Sequence, residues 1–252
     1  MSDLQGKAGL VTGAGSGIGR ASALRLAAAG ASLVVSDIDG AAAADTVAAI
    51  TAAGGTAMAM RCDIADEASV EAMVQAVVDT YGHLDFAHNN AGIMGIQQRL
   101  ADFTLEQYER IMAVNLRGTF LCLRAELKIM VPQRAGSIVN TASAASLKGA
   151  AADSIYTASK HGVAGLTKTA ALEYARSGVR VNSVCPGVIL TGMMQTVEES
   201  SPENYEKAKR LMPIGRYGLP EEIAEAVLWL CSDASSLMTG QMMAVDGGWS
   251  TL

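Results

Sequence analysis

Seven short apolar runs alternate with longer Ala/Leu-rich segments of helical period. The runs lie at Ala8–Thr12, Ser32–Ser36, Thr56–Cys62, Leu84–Asn89, Ser137–Asn140, Val179–Val184 and Gln241–Val245. The helical segments are Ile18–Ala29, Gly40–Ala53, Glu67–Tyr81, Leu105–Val131, Ile155–Arg176 and Glu221–Cys231. A strand that is apolar throughout has both faces covered, and helices between such strands supply the cover. This alternation predicts an α/β, doubly wound, Rossmann-type fold with a seven-stranded parallel sheet flanked by helices on both faces. No linker, repeat or low-complexity tail divides the chain, so residues 1–252 read as a single domain. Half of the residues are hydrophobic, enough to bury a sizeable core. Only Thr191–Arg216 breaks the rhythm, with Met193, Met194, Pro202, Met212 and Pro213 among mixed charges. A connection of that length is either a substrate loop or a surface insertion.

The formal net charge of −6 and the absence of a Lys/Arg run give no footing to a nucleic-acid or anionic-membrane partner. The opening MSDLQGKAGLVTGAG lacks the pattern of a secretory signal, and no stretch is apolar for long enough to span a bilayer. Cys62, Cys122, Cys185 and Cys231 have no CxxC spacing, which fits buried free thiols in a reducing compartment. His83, His88 and His161 lack ligand spacing, so no metal is expected. The cytoplasm is the expected location.

The first strand runs into TGAGSGIGR, Thr12 to Arg20, just where a helix begins. Gly13, Gly17 and Gly19 let the backbone approach a pyrophosphate, whose charge meets the helix N-terminus. The alternative is a tight turn with no ligand. Asp37 closes the second strand at the distance where an acidic side chain can accept hydrogen bonds from the adenosine ribose. It would also repel a 2′-phosphate. Charges of −1 and −2 about 4 Å apart repel by roughly 8 kcal/mol at an effective dielectric near 20, before screening. Ser16 and Ile38 supply no cation to offset that, so NAD is expected over NADP. The competing role for Asp37 is to cap the following helix, which Asp39 could do instead.

In YTASK, Tyr156 and Lys160 lie four residues apart, one above the other on a helix. Such a pair either decorates a surface or lets the ammonium lower the phenol's pKa for acid–base work. The rest of the chain favours chemistry. TGAGSGIG at 12–19, Asp37, CDIAD with Asp63, NNAG at 89–92, VNLRG with Asn115, SIVNTAS ending at Ser143, YTASK at 156–160, PGVILT at 186–191 and VDGG at 245–248 follow one another in order. With these motifs the whole chain resembles the short-chain dehydrogenase/reductase family.

The resemblance implies a nicotinamide cofactor and a set of roles. Ser143 would hydrogen-bond the substrate oxygen, Tyr156 would be the acid–base, and Lys160 would bind the nicotinamide ribose. Asn115 would hold a water linking Lys160 to solvent. Asp63 would approach the adenine, and Asn90, Ala91 and Gly92 would line the cofactor. Ile189 and Thr191 would hold its carboxamide and pyrophosphate ends. Ser16, Ile18, Ile64, Pro186 and Gly187 complete the expected contacts. The chemistry is consistent: alcohol oxidation needs a base for the hydroxyl proton, a donor for the changing oxygen and a hydride acceptor. Asn115 would otherwise be a poor helix former inside a helix.

The expected activity is NAD-dependent oxidation of a secondary alcohol, or the reverse. The alternatives are an NADP-dependent 3-ketoacyl-type reductase and a dinucleotide sensor without turnover. The segments expected to line the substrate pocket, Met94–Leu100, Ala144–Ile155 and Thr191–Arg216, are rich in Met, Ala, Leu and Ile. They suit a small, neutral, fairly apolar substrate, with Gln97, Arg99 and Lys148 as possible polar anchors. The family commonly forms homotetramers. The two long helical segments, which carry small residues, suit such packing.

Overall fold

The computed structural model describes residues 3–191, 206, 209–210 and 212–252. Seven strands form one sheet in the order β3-β2-β1-β4-β5-β6-β7. They are β1 (Ala8–Thr12), β2 (Ser32–Asp37), β3 (Thr56–Arg61), β4 (Phe86–Asn89), β5 (Gly136–Thr141), β6 (Val179–Pro186) and β7 (Met242–Val245). Every adjacent pair is parallel. All residues of β1 and β4 are buried, as continuous apolar runs between two helical layers require.

The helices are α1 (Gly17–Ala28), α2 (Gly40–Ala52), α3 (Glu67–Tyr81), α4 (Leu105–Met112), α5 (Thr119–Gln133), α6 (Ser154–Tyr174) and α7 (Pro220–Cys231). Their apolar faces fill one core on each side of the sheet. One joins Val70, Met73, Val74 and Val77 of α3 to Leu121 and Met130 of α5. The other joins Leu26 of α1 to Ile223, Val227 and Leu230 of α7. The α3 residues recur at the i, i+3, i+4, i+7 spacing of a single buried stripe. Asp39 and Asp66 accept backbone N–H groups at the starts of α2 and α3, and Gly82 ends α3 in the left-handed conformation.

The strand order reverses between β1 and β4. Ligands of open α/β sheets bind in the crevice beyond the carboxyl ends of the strands at such a point. Two expectations change here. The segment expected as one helix from Leu105 to Val131 is interrupted by a π-helical turn, Ala113–Gly118, and then runs on to Gln133. Nearly all of the Thr191–Arg216 connection lies outside the described residues.

A polar seam crosses the core. Asn89 Nδ2 donates to Glu126 Oε2 and to Asn140 Oδ1, both at 3.0 Å, and Asn140 Nδ2 donates to Thr167 Oγ1 at 2.9 Å. Glu126 is wholly buried, and burial pushes its carboxyl up to about 8 against the pull of the Asn89 bond. A carboxyl with a raised folded pKa keeps its proton in the fold while the unfolded chain ionises. Stability therefore falls as pH rises from about 4.5 to about 8 and levels off above that. By pH 7 the accumulated loss is about 3 kcal/mol. Glu126→Gln removes the titration and keeps the acceptor for Asn89. In urea melts from pH 5 to 8, the variant's advantage over the parent should grow by about 1.4 kcal/mol per pH unit up to pH 7. Curves that stay parallel would assign Glu126 an ordinary proton affinity.

Candidate active site

The glycines after β1 answer two demands. Gly13 and Gly17 have φ values of 61° and 52°, in the left-handed region. A Cβ on Gly13 would stand 2.8 Å from the Cα of Ala91, and one on Gly19 would strike the Gly13 carbonyl. The loop is clasped to the end of β4. Asn90 N–H and Ala91 N–H both donate to Thr12 Oγ1 at 3.0 Å, and Asn90 Nδ2 donates to the carbonyls of Thr12 and Gly13 at 3.1 and 3.2 Å. At the start of α1, Ser16 makes no side-chain cap, and the first turn holds no acidic residue. The helix end thus keeps backbone donors and a positive dipole for an anion. A Cβ on Gly17 would lie 3.2 Å from Thr191 Cγ2, so Thr191 borders the same loop. Buried Ile189 and half-buried Ile18 pack in one core, while Pro186 ends β6. A Cβ on Gly187 would meet the Cα of Asp246 at 2.8 Å.

Asp37 stands beside this loop. Its Oδ2 accepts Gly15 N–H at 2.9 Å and its Oδ1 accepts Asp39 N–H at 3.0 Å. Asp39, not Asp37, caps α2. Cys62 N–H donates to the Asp37 carbonyl at 2.9 Å, which brings the end of β3 alongside. There Asp63 Oδ1 accepts Ala65 N–H at 2.9 Å, and Ile64 packs beneath Gly118. Glycines where a side chain would fill the cradle, a free helix N-terminus and a carboxylate at the second strand's end together fit a dinucleotide.

Beyond β5, Ser143 begins a 3₁₀ turn, Ala144–Ser146. Its Oγ accepts Ala145 N–H at 3.1 Å and is hydrogen-bonded to the Tyr156 phenol. Tyr156 is the third residue of α6, and Lys160 follows one turn on with its Nζ 5.8 Å from the phenol ring's centre. Buried Lys160 donates to the Thr141 carbonyl at 2.8 Å. Burial drives its ammonium down to about 8. Thr141 is itself buttressed by wholly buried His88, whose Nε2 is 2.9 Å from Thr141 Oγ1. Burial lowers that imidazole to about 3 and keeps it neutral, in keeping with a structural role.

Asn115 sits in the π-helical turn with its amide spent on the protein. Its Oδ1 accepts Ile93 N–H at 2.8 Å, and its Nδ2 donates to the Ile93 carbonyl at 2.9 Å and to Ser159 Oγ at 3.1 Å. A Cβ on Gly92 would lie 3.2 Å from Asn115 Oδ1 and 3.3 Å from Lys160 Nζ, so Gly92 leaves room where the two converge.

The phenol departs from the sequence expectation. Burial raises the Tyr156 pKa, the Ser143 bond pulls it down, and Asp153 and Cys185 add to the rise. The Lys160 ammonium points to the Thr141 carbonyl, so desolvation outweighs it. Lys148, a candidate substrate anchor, is also committed elsewhere. Its Nζ donates to the Trp249 carbonyl at 3.0 Å and lies 4.8 Å over that indole. Thr12, Thr141 and Ser159 lie inside the recognised motifs with no role assigned to them there, and His88 supports the site without any sequence signal. All four cysteines are buried and free, and no metal-binding cluster occurs among the described residues.

Known proteins are similar to this chain in sequence and fold. The family described as enoyl-(acyl carrier protein) reductase matches residues 13–250. The chain is 43% identical over its whole length to the full 2,5-dichloro-2,5-cyclohexadiene-1,4-diol dehydrogenase of Sphingobium indicum. It is 44% identical to the cyclohexanol dehydrogenase of an Acinetobacter strain, over 97% of this chain and 95% of that one. The crystal structure of levodione reductase superposes with a TM-score of 0.93 at 41% identity, over 98% of this chain and 99% of the other. A putative 2-deoxy-D-gluconate 3-dehydrogenase from Agrobacterium tumefaciens, solved with bound NADP, gives a TM-score of 0.91 at 35% identity, over 99% and 98% of the two chains. A match over nearly the whole chain and close superposition at such identities place this chain in the short-chain dehydrogenase/reductase family.

Proposed function

We propose that this protein is an NAD-dependent oxidoreductase that moves a hydride between a small secondary alcohol, or its ketone, and nicotinamide. The observation that carries the proposal is the meeting of Ser143, Tyr156 and Lys160 at the mouth of the glycine-loop crevice. Bound nicotinamide accepts or donates the hydride and, when oxidised, adds a positive charge that favours phenolate. Tyr156 takes the hydroxyl proton in oxidation and returns it in reduction. Ser143 donates to the substrate oxygen as its charge changes. Lys160 holds the nicotinamide ribose. Asn115 fixes the chain beside Lys160 and holds the water that links Lys160 to solvent. Asp63 with Ile64 borders the adenine, and Gly92, Ile189 and Thr191 border the nicotinamide and pyrophosphate. The relatives named for a cyclohexadienediol and a cyclohexanol support a ring alcohol as substrate.

NAD is assigned on Asp37, whose carboxylate meets the ribose hydroxyls and repels a 2′-phosphate. One observation supports NADP instead. Arg61 pairs with Asp37 in the β2–β3 register and packs against Gly40, a cation that neighbouring positions in sequence do not reveal. Steady-state kinetics on cyclohexanol with each cofactor decide the matter. The parent should prefer NAD⁺ at least tenfold in kcat/KM, which needs only about 1.4 kcal/mol. Asp37→Ser should weaken NAD⁺ and relieve the exclusion of NADP⁺. Equal use of both by the parent, or an unchanged ratio in Asp37→Ser, would overturn the assignment and bring Arg61 forward as a phosphate partner.

We also infer a single catalytic domain over residues 1–252, a cytoplasmic setting suited to buried free thiols, and a homotetramer. Exposed Phe120 on α5 and Leu172 on α6 support helix-to-helix assembly. No helix among the described residues is long and apolar enough to cross a membrane.

A further inference from the structure

Aspartate is among the preferred residues at a helix N-cap, and Asp39 and Asp66 both cap their helices with the side chain. Asp153 holds the same position on α6 and makes no side-chain cap. Its carboxylate turns instead to the 93–99 connection, where Oδ2 accepts from Gln97 Nε2 at 3.1 Å. Among the described residues Oδ1 accepts no hydrogen bond. The preceding residue, Ala152, has φ 68°, in the left-handed region that alanine rarely enters. Gln98 N–H fixes that residue by donating to its carbonyl at 2.9 Å. A withheld cap, a strained turn and the bond to Gln97 thus hold one half-buried carboxylate just ahead of α6. Asp153 stands three residues before Tyr156, and its charge reaches the phenol.

We propose that Asp153 reads a second hydroxyl on the substrate, making the preferred substrate a ring diol rather than a simple ring alcohol. The inference rests on the secondary-alcohol reading and deepens it. An ionised carboxylate only accepts hydrogen bonds, so its partner is a donor. A hydroxyl satisfies Oδ1, a second ketone does not, and a carboxylate substrate is repelled. The charges around Tyr156 leave this assignment to Asp153: Lys160 is committed to Thr141, and burial raises the Cys185 thiol to about 11, so it stays neutral. The Asp153 charge also reaches the phenol and opposes its ionisation.

The experiment compares cyclohexanol with 1,2-, 1,3- and 1,4-cyclohexanediol on the parent, Asp153→Ala and Asp153→Asn, with NAD⁺. The parent should favour at least one diol about tenfold or more in kcat/KM, the discrimination expected of a charge-assisted hydrogen bond. Asp153→Ala should abolish that preference through the diol KM. It should leave NAD⁺ affinity close to the parent's, because no helix cap is lost, and any rise in kcat from removing its charge beside the phenol should be shared by cyclohexanol and the diols. Asp153→Asn keeps the size and a neutral acceptor and should retain part of the preference. A parent without diol preference, or an Asp153→Ala that affects all four alcohols alike, overturns the proposal while the oxidoreductase reading stands. If the parent oxidises no secondary alcohol with either cofactor, that reading fails. Calorimetric titration of diols and cyclohexanol into the NADH-loaded parent and Asp153→Ala then decides Asp153 separately. Equal affinities in the two proteins overturn its role, and a diol affinity lost only in the variant upholds it.

Discussion

Tyr156→Phe should bind NAD⁺ with near-parental affinity and turn over almost no alcohol. Phenylalanine keeps the ring, its place in the third position of α6 and its packing near Lys160, and removes only the transferable proton. General acid–base groups contribute roughly 10²–10⁴-fold, and the two side chains that flank the phenol are poor substitutes. Lys160 is held by the Thr141 carbonyl, and Ser143 is a weak base. Single-turnover formation of NADH checks the loss, and a fluorescence titration of cofactor checks binding. Turnover within a few-fold of the parent would reject Tyr156 as the acid–base. The pH dependence has a definite sign. Oxidation needs the phenolate, and burial raises the phenol, so the oxidation rate should climb with pH through the neutral and alkaline range. Ketone reduction needs the phenol and should favour lower pH.

Ser143→Ala should lower turnover by about 10²–10³, the effect of removing one oxyanion-type donor. Two causes act together. The substrate oxygen loses its donor, and the phenol loses the bond that pulls its pKa down. The second cause matters only where the phenol is largely protonated. The deficit should therefore be constant while the pH stays well below the phenol's raised pKa and shrink only as the pH climbs through it, and this pH dependence separates the two causes. A Ser143→Ala enzyme as fast as the parent would mean that another group holds the substrate oxygen. A large deficit that does not shrink as the pH climbs through the phenol's titration would leave the donor role alone.

The sequence reveals those features whose chemistry is local. The glycine loop, Asp37 and the Tyr156–Lys160 spacing each depend on neighbours within a few residues, and burial in continuous apolar runs set the seven strands. The partners that hold the site in place are not local. Lys160 leans on Thr141, Asn115 on Ile93, and Asn90 on Thr12, across separations of 19, 22 and 78 residues. No periodicity encodes such pairs. The direction of the Tyr156 shift was hidden for the same reason, since burial is a property of the packed molecule and outweighs a cation four residues away. Arg61 was missed because the register of β2 on β3 brings it to Asp37. A 3.6-residue pattern also runs through Leu105–Val131 without marking where the helix widens.

That widening places the constraint on length. A π-helical turn accommodates one residue more than an α-helical turn, and such bulges occur often at functional sites. Removing a single residue between Ala113 and Gly118 would let the backbone regain α-helical pitch from Leu105 to Gln133, with better internal bonding. Because the π turn absorbs its extra residue, the helical segments on either side would keep nearly the same phase, and only the widened turn would be lost. α5 would then keep its buried stripe against α3, while Asn115 would lose the widened turn that sets its amide against Ile93 and Ser159. The number of residues in this stretch is thus held as tightly as their identity, and here the more regular helix would be the less competent one.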